Sequence, residues 1–433
     1  MRIVKLDSKS KKNILATLLK RSPGQYGEYQ AAVDEILRDV RVNGDEAVTR
    51  LTEKFDRARL TPETLRVSEA EIKSAYEQVS DDLIGVMKRS LANIKCYHEK
   101  QVRQSFITTE KNGIVLGQRI TPIERVGVYV PGGRAPLSSS VLMNIVPAKV
   151  AGVDRIVMVT PPRPDGTVTP EVLVAADLAG ADEIYKCGGA QAIAALAYGT
   201  ETVPRVYKIV GPGNIFVTLA KKTVFGLVGI DSVAGPSEVM VLADSSANPE
   251  FVAADLLSQA EHDPMSSAIL VTTDQNLADR VSALTDEMAN RLSRRDIIQK
   301  SLEDYGYILL ADTMNDAIDA VNEIASEHLE ILTENPMETM TRVRNAGAIF
   351  LGPYSSEPLG DYFAGPDHVL PTNGTARFSS PLSVDEFIKK SSLISYSREA
   401  LAEVSDDIIA FAKAEQLTAH ANSIAVRFGQ EVN

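Results

Sequence analysis

The hydrophobic period of the chain changes along its length. In the N-terminal part, Tyr29, Val33, Ile36, Leu37 and Val40 fall at helical spacing, and Gly44 is placed to stop that helix. Residues up to about 104 read mainly as helix. Ser68 with Glu71, and Ser383 with Glu386 before Phe387, have the spacing of capping boxes, in which serine caps an orphan N–H and glutamate reaches back to the backbone. Between them, SFITTEKNGIVLGQRI sets Asn112-Gly113 among β-favouring residues, which predicts a hairpin.

From about residue 126 to 237 short apolar runs alternate with amphipathic stretches, among them VGVYV, RIVMVTP, EIYKCGG and YKIVGPG, and this repeated βα pattern predicts a parallel, doubly wound sheet. A second alternation runs from EVMVLAD through PEFVAADLLSQAEH and SAILVTT to YGYILLA and AGAIFL, so the fold class is α/β with two halves and a cleft between them. After Arg377 the pattern is again helical, in DEFIKK, in SREALAEVSDDIIAFAKAEQ and around His420. No repeat of 20 to 50 residues occurs.

Composition narrows the function classes. A chain of 433 residues, 44% hydrophobic and 24% charged, is globular and long enough for two or three domains. No run approaches the roughly 18 apolar residues of a membrane span, and charge interrupts the N-terminal stretch too often for a signal sequence, so a cytoplasmic protein without membrane contact is expected. The two cysteines, Cys96 and Cys187, are far apart and lack metal-knuckle spacing. A formal charge of −13, with KSKK at residues 9–12 the densest basic run, argues against nucleic acid as a partner.

Three strand ends carry glycine-rich turns, Pro131-Gly132-Gly133, Gly188-Gly189 and Gly211-Pro212-Gly213-Asn214, each leading into a helix whose free N–H groups suit a pyrophosphate. No strict GxGxxG is present, and glycine there also serves simply to make the turn. Of five histidines, His98 reads as a surface residue on a helix, and the other four lie in polar, acid-rich contexts. Gln259 and His262 stand three apart on one helix and could grip one metal, although such a pair is also common without one. Glu327 and His328, read as a helix end, supply a carboxylate and a near-neutral base. LGDYFAGPDHVLPTNGTAR holds Asp361 and His368 in a loop too irregular for a plain connection, whereas the five-residue spacing of Glu415 and His420 says little. Cys187 is read as structural, since no neighbour obviously lowers its pKa.

Together ERVGVYVPGGRAPLSSSVLMN, GGAQAIAALAYGT, KIVGPGN, AGPSEV, SQAEHD, SEHLE, GDYFAGPDHVLPTNGTAR and EQLTAHA resemble the histidinol dehydrogenase family, in its order, from about residue 25 onward. The resemblance implies a homodimer with shared active sites and two incomplete Rossmann-like domains with parallel-rich sheets, plus small helical terminal extensions. The corresponding boundaries are residues 1–22 for an N-terminal extension, 23–127 with 238–377 for the first domain, 128–237 for the NAD-binding domain, and 378–433 for a C-terminal helical extension crossing to the partner. It implies one zinc ion (Zn2+) per subunit on Gln259, His262, Asp361 and His420, with His420 from the other chain, and NAD contacts at Tyr129, Gln191 and Asn214. Substrate contacts fall on Ser237, His328 and Glu415 alongside the metal ligands, with His328 and Glu327 catalytic. The chain departs from the pattern at Ser326, where many members have proline, and at Asp367, where asparagine is common. A relative acting on another alcohol, or a silent one, would be expected to lose Glu415, Glu327, His328 or a metal ligand; all are present.

Overall fold

The computed structural model describes residues 1–19, 21, 27–132 and 137–430, so Gly133 of the first glycine-rich turn lies outside the described residues. The chain divides into two compact units, Met1–Gln101 with Ile123–Phe387, and Val102–Pro122 with Ile388–Asn433. Among the described residues no helix is long and apolar enough to cross a membrane.

The strands, in chain order, are β1 (Arg2–Lys5), β2 (Phe106–Thr109), β3 (Val115–Pro122), β4 (Arg125–Tyr129), β5 (Arg155–Thr160), β6 (Glu183–Lys186), β7 (Lys208–Val210), β8 (Gly229–Ile230), β9 (Glu238–Ala243), β10 (Ser267–Thr272), β11 (Gly306–Leu310), β12 (His328–Leu332), β13 (Ala348–Leu351) and β14 (Ile388–Ser395). In the first unit they form two wholly parallel sheets, ordered β6-β5-β4-β7-β8 and β1-β11-β10-β9-β12-β13. Period-2 alternation lets each sheet feed two cores. Val126, Val128, Ile156 and Met158 enter one core, while Tyr129, Val157 and Val159 enter the other. In the second sheet Val239, Val241 and Ala243 face one way, and Met240 and Leu242 the other. Continuous apolar runs such as EVMVLA are buried on both faces, and helices cover them.

In the second unit β14, β3 and β2 make an antiparallel sheet, beside the helices Arg398–Ala414 and Thr418–Ala425. The expected hairpin is present, with Asn112 (φ 63°) and Gly113 (φ 79°) both left-handed in the connection between β2 and β3. The helical expectation for DEFIKK fails. Val384–Phe387 is a single 3-10 turn, and Ile388–Ser395 pairs along its whole length with β3, from Ile388 opposite Pro122 to Ser395 opposite Val115. An eight-residue partner strand outweighs the weak helical pattern of the segment. Ser383 and Glu386 meet through the backbone rather than as a capping box, and Glu386 pairs with Lys208. Ser68 and Glu71 do form the box.

Two further expectations change. The opening RIVK is a strand, too short and too charged at its ends to stand out of the helical pattern, and it is held by parallel pairing to β11. His98 is fully buried, because the inward stripe of the helix Asp81–Glu99 runs through Ile84, Met87, Ser90 and Ile94 to His98 itself, whose Nδ1 lies 2.8 Å from Gln101 Oε1. Gly44 ends the first of two helices within the run Gly27–Asp56, as the sequence predicts, and kinks the chain between them. Its φ of 52° and ψ of −131° suit glycine alone, and a Cβ there would collide with the Glu201 carboxylate. That carboxylate accepts the Asp45 N–H at 2.9 Å, and the Thr200 and Thr202 hydroxyls donate to Asp45. Gly44→Ala is therefore expected to destabilise the protein by about 1–3 kcal/mol, read as a lowered thermal midpoint; an unchanged midpoint would show that the kink tolerates a side chain.

Candidate active site

The carboxyl ends of β4, β5, β6 and β7 open onto a cavity of about 1040 Å³, where strand order reverses beside β4. Open parallel sheets bind ligands at such a switch point. Tyr129, Gly132, Gly189, Gln191, Asn214 and Asp56 are among its lining residues. The Gly189 N–H donates to the Tyr129 hydroxyl at 3.2 Å, and burial raises that phenol above its ordinary pKa. Asn214 caps the helix Ile215–Val224 by accepting from the Phe216 and Val217 N–H groups. Gly211 (φ 112°) cannot carry a side chain, because a Cβ would strike the Tyr129 carbonyl. The Asp231 carboxylate accepts its N–H at 2.8 Å, and Lys221 Nζ donates to its carbonyl at 2.9 Å, so the turn is pinned at both ends. The buried Gln191 Nε2 and Asp56 Oδ2 have no protein partner, and burial pushes the Asp56 carboxyl up to about 6.

The second constellation starts where the helix Met314–Ile324 stops on Ala325, a non-glycine residue at φ 55°. The chain then turns directly into β12, between β9 and β13, so His328 opens a central strand rather than closing a helix. The H-L-E-I-L alternation hid this strand, because its polar positions are as buried as its apolar ones. Pairing with β9 sets both functional groups against one residue. Glu327 Oε2 accepts from the Glu238 N–H at 2.8 Å, and His328 Nδ1 donates to the Glu238 carbonyl at 3.0 Å. That carbonyl can only accept, so the proton sits on Nδ1 and Nε2 keeps its lone pair. Gly347 permits the packing, since a Cβ would come within 2.5 Å of the Glu327 carbonyl. Burial pushes His328 down to about 4, against the opposing pull of Asp361, so the ring is neutral at neutral pH. Burial, with Glu238, Asp361 and Glu357 nearby, raises Glu327 well above the usual carboxylate range.

His328 Nε2 has no hydrogen-bond partner, and the residue lines a second cavity of about 610 Å³ with Asp361, His368, Asp367, Phe350 and Tyr97. His368 Nδ1 donates to the Asp361 carbonyl at 3.1 Å and lies 3.6 Å from its Oδ1. Burial opposes ionisation of Asp361, yet His368, with His328 and His262, holds its carboxyl below the ordinary value. Gln259, in the last turn of the helix Pro249–Ala260, is fully buried with both amide atoms unpartnered. His262 follows just past the helix cap. His262, Glu357 and Asp361 present donor atoms within 4.8 Å of one another. Two carboxylates and an imidazole, beside an unsatisfied amide, fit a divalent zinc ion in donor type.

Ser237 immediately precedes β9 and is half-buried, whereas Glu415 and His420 belong to the second unit, where both are exposed. Cys187 is fully buried, and burial raises its thiol pKa, in keeping with a structural role. Sequence reasoning missed Glu357, although EPLGD sets it four residues before Asp361 on one helical face. It also missed Arg21, fully buried and paired with Glu238 at 2.5 Å, for which the sequence carries no local signal.

The sequence profile of the family described as Histidinol dehydrogenase matches residues 19–428. A histidinol dehydrogenase of Clostridium acetobutylicum is 53% identical over 428 residues, 99% of each chain. One from Halalkalibacterium halodurans is 56% identical over 402 residues, 93% of this chain and 94% of the relative. The crystal structure of histidinol dehydrogenase from Elizabethkingia anophelis superposes with a TM-score of 0.93 at 39% identity, covering 99% of this chain and 98% of that one. The chain therefore belongs to the histidinol dehydrogenase family of oxidoreductases.

Proposed function

We propose that this protein oxidises L-histidinol through L-histidinal to L-histidine, the last steps of histidine biosynthesis, passing two hydrides to two molecules of NAD. The observation that carries the reading is the Glu327–His328 pair. Both groups are hooked to Glu238, and the His328 Nε2 lone pair is free in a cavity that Asp361 also lines.

In this reading Tyr129, Gln191 and Asn214 hold NAD in the glycine-lined cavity, where the helix N-termini at Gly189 and Ile215 favour a pyrophosphate. Ser237, His328 and Glu415 contact substrate. Gln259, His262, Asp361 and His420 hold one zinc ion per subunit, with Glu415 and His420 supplied by a second copy in a homodimer. Their exposure on the second unit leaves both available to a partner. When bound, the ion supplies Lewis acidity and orients the imidazole and amino groups of substrate.

His328 takes the hydroxyl proton on Nε2 as the first hydride leaves the alcohol carbon. Its low pKa keeps the base form available through the neutral range, and its Nδ1 hydrogen bond fixes the ring. Glu327, placed by its hydrogen bond to the Glu238 N–H and made more basic than an ordinary carboxylate by burial, then draws a proton from a water that adds to the aldehyde. The hydrated aldehyde loses the second hydride and leaves as the carboxylate. Burial of both groups keeps bulk water from the reactive aldehyde. The chemistry suits the cytoplasm, where NAD is at hand.

Purified zinc-loaded protein given L-histidinol is expected to form two NADH per substrate consumed, and to lose this activity on chelation and regain it with zinc. One NADH per substrate, or turnover indifferent to chelation, would overturn the four-electron zinc reading. Glu327→Gln should slow the second oxidation about 100- to 10,000-fold, the ordinary contribution of a general base, while sparing the first. Single-turnover NADH traces would show this as one fast step and one slow step, and equal slowing of both would remove Glu327 from water activation.

A further inference from the structure

Asp56 stands on the wall of the glycine-lined cavity without a role in the reading above. It is the last residue of the helical run Gly27–Asp56, and the chain leaves through Arg57 at φ 61°, a left-handed corner that is strained for a non-glycine residue. Its Oδ2 is buried and unpartnered, and so is the Gln191 Nε2 of the same cavity. The first is an acceptor and the second a donor. Burial raises the Asp56 carboxyl to about 6, and among the described residues no cation or hydrogen bond draws it back. Above that pH the group can only accept, and an enclosed acceptor without a donor is costly. A ribose diol supplies what both atoms lack, a hydroxyl hydrogen for the carboxylate and a hydroxyl oxygen for the amide.

Position selects the ribose. In nucleotide-binding sheets of this kind an acid beyond the second strand bonds the adenosine 2′-hydroxyl, whereas an arginine there takes a 2′-phosphate. Here the second strand is β5, and it runs into Thr160-Pro161-Pro162-Arg163, with no acid and with Arg163 on the cavity wall. Glu171, the other carboxylate among the described lining residues, sits in the first turn of the helix Pro170–Ala179 and complements its N-terminus. Asp56 is left for the role, carried in by a helix outside the βα repeat. That helix packs Ile36, Leu37 and Val40 into the core on one side of the sheet. His368, which lines the cavity of His328, meets the Ser140 hydroxyl at 3.3 Å on the helix Ser138–Ala151, which belongs to the core on the other side. The nicotinamide has to reach His328, so the adenosine half falls at the Asp56 end, where the half-exposed Phe55 offers a ring to the base.

We propose that Asp56 binds the adenosine 2′-hydroxyl of NAD and thereby sets a preference for NAD over its 2′-phosphorylated form, NADP. This rests on the NAD reading above. A 2′-phosphate would remove the donor that the carboxylate needs and bring like charge against it, in opposition to the attraction of Arg163.

The test follows L-histidinol oxidation by the full-length zinc-loaded protein with NAD, NADP and 2′-deoxy-NAD, which lacks only the adenosine 2′-hydroxyl. The wild type is expected to show a KM about 10- to 100-fold higher for 2′-deoxy-NAD than for NAD, the loss of one hydrogen bond to a charged group, and to use NADP poorly. Asp56→Ala should raise the KM for NAD by a similar factor and no longer distinguish it from 2′-deoxy-NAD, with the KM for L-histidinol held. Asp56→Asn, which keeps an acceptor without the charge, should fall between and narrow the preference against NADP. The wild-type comparison needs no variant, so it decides even if the variants do not fold. Wild-type indifference to the 2′-hydroxyl, equal use of NADP, or an Asp56→Ala variant that still distinguishes the two dinucleotides as the wild type does would overturn the assignment while leaving the NAD reading intact. Failure of the wild type to reduce NAD at all would overturn both.

Discussion

Glu238 offers one backbone N–H and one carbonyl at the head of β9, and the two functional groups at the start of β12, Glu327 just before it and His328 opening it, each take one of them. Parallel pairing makes this possible, because the register that puts His328 opposite Val239 brings Glu327 and His328 to the two polar groups of the residue before it. The tautomer of His328, the direction of its free nitrogen and the position of the Glu327 carboxylate all follow from that strand register. The Glu238 side chain is not free to wander either, because it is buried against Arg21, which also donates to the Met265 carbonyl at 2.7 Å. Breaking such a buried pair on one side strands a charge and commonly costs several kcal/mol. An arginine near the N-terminus thereby secures the residue on which the chemistry is hung.

The same enclosure sets the protonation states. Burial drives His328 toward the neutral imidazole and holds Glu327 above the usual carboxylate range, so one environment moves the two groups in opposite directions. Asp361 is the exception, held below the ordinary carboxylate value despite its burial, chiefly by the His368 imidazole. A cluster of this kind spends stability on unpaired buried charge, and the spending is localised where a cation and a polar substrate would repay it.

Much of the fold was legible because the strands are continuous apolar runs separated by glycine turns, a pattern that tertiary context seldom overrides. The errors have physical causes. β1 is short and β14 is largely polar and exposed, and both are made by their partners rather than by their own sequences. β12 was misread because Glu330 and His328 are buried polar residues, which look like surface in a one-dimensional pattern. His98 was misread for the same reason, although its place on the Ile84, Met87, Ile94 stripe was available. At the site, residues next to each other in sequence or at helical spacing could be paired, and Glu357 with Asp361 belonged to that class. Arg21 with Glu238 spans 217 positions and could not.

The enclosure also accounts for the tolerated departure at Asp367. Asparagine there would present an amide donor and an acceptor. Aspartate would ordinarily present two acceptors and a charge, and full burial would make that costly. Burial instead pushes the Asp367 carboxyl up to about 8, so near pH 7 it is mostly protonated and again offers one O–H donor and one acceptor. Oδ1 accepts the Val369 N–H at 2.8 Å, as an amide oxygen would. Oδ2 lies 3.8 Å from His98 Nε2, and that imidazole is itself held neutral by burial. A neutral carboxyl facing a neutral ring puts no unpaired charge into the loop that carries His368 and Asp361, while at 3.8 Å the two facing atoms make no hydrogen bond.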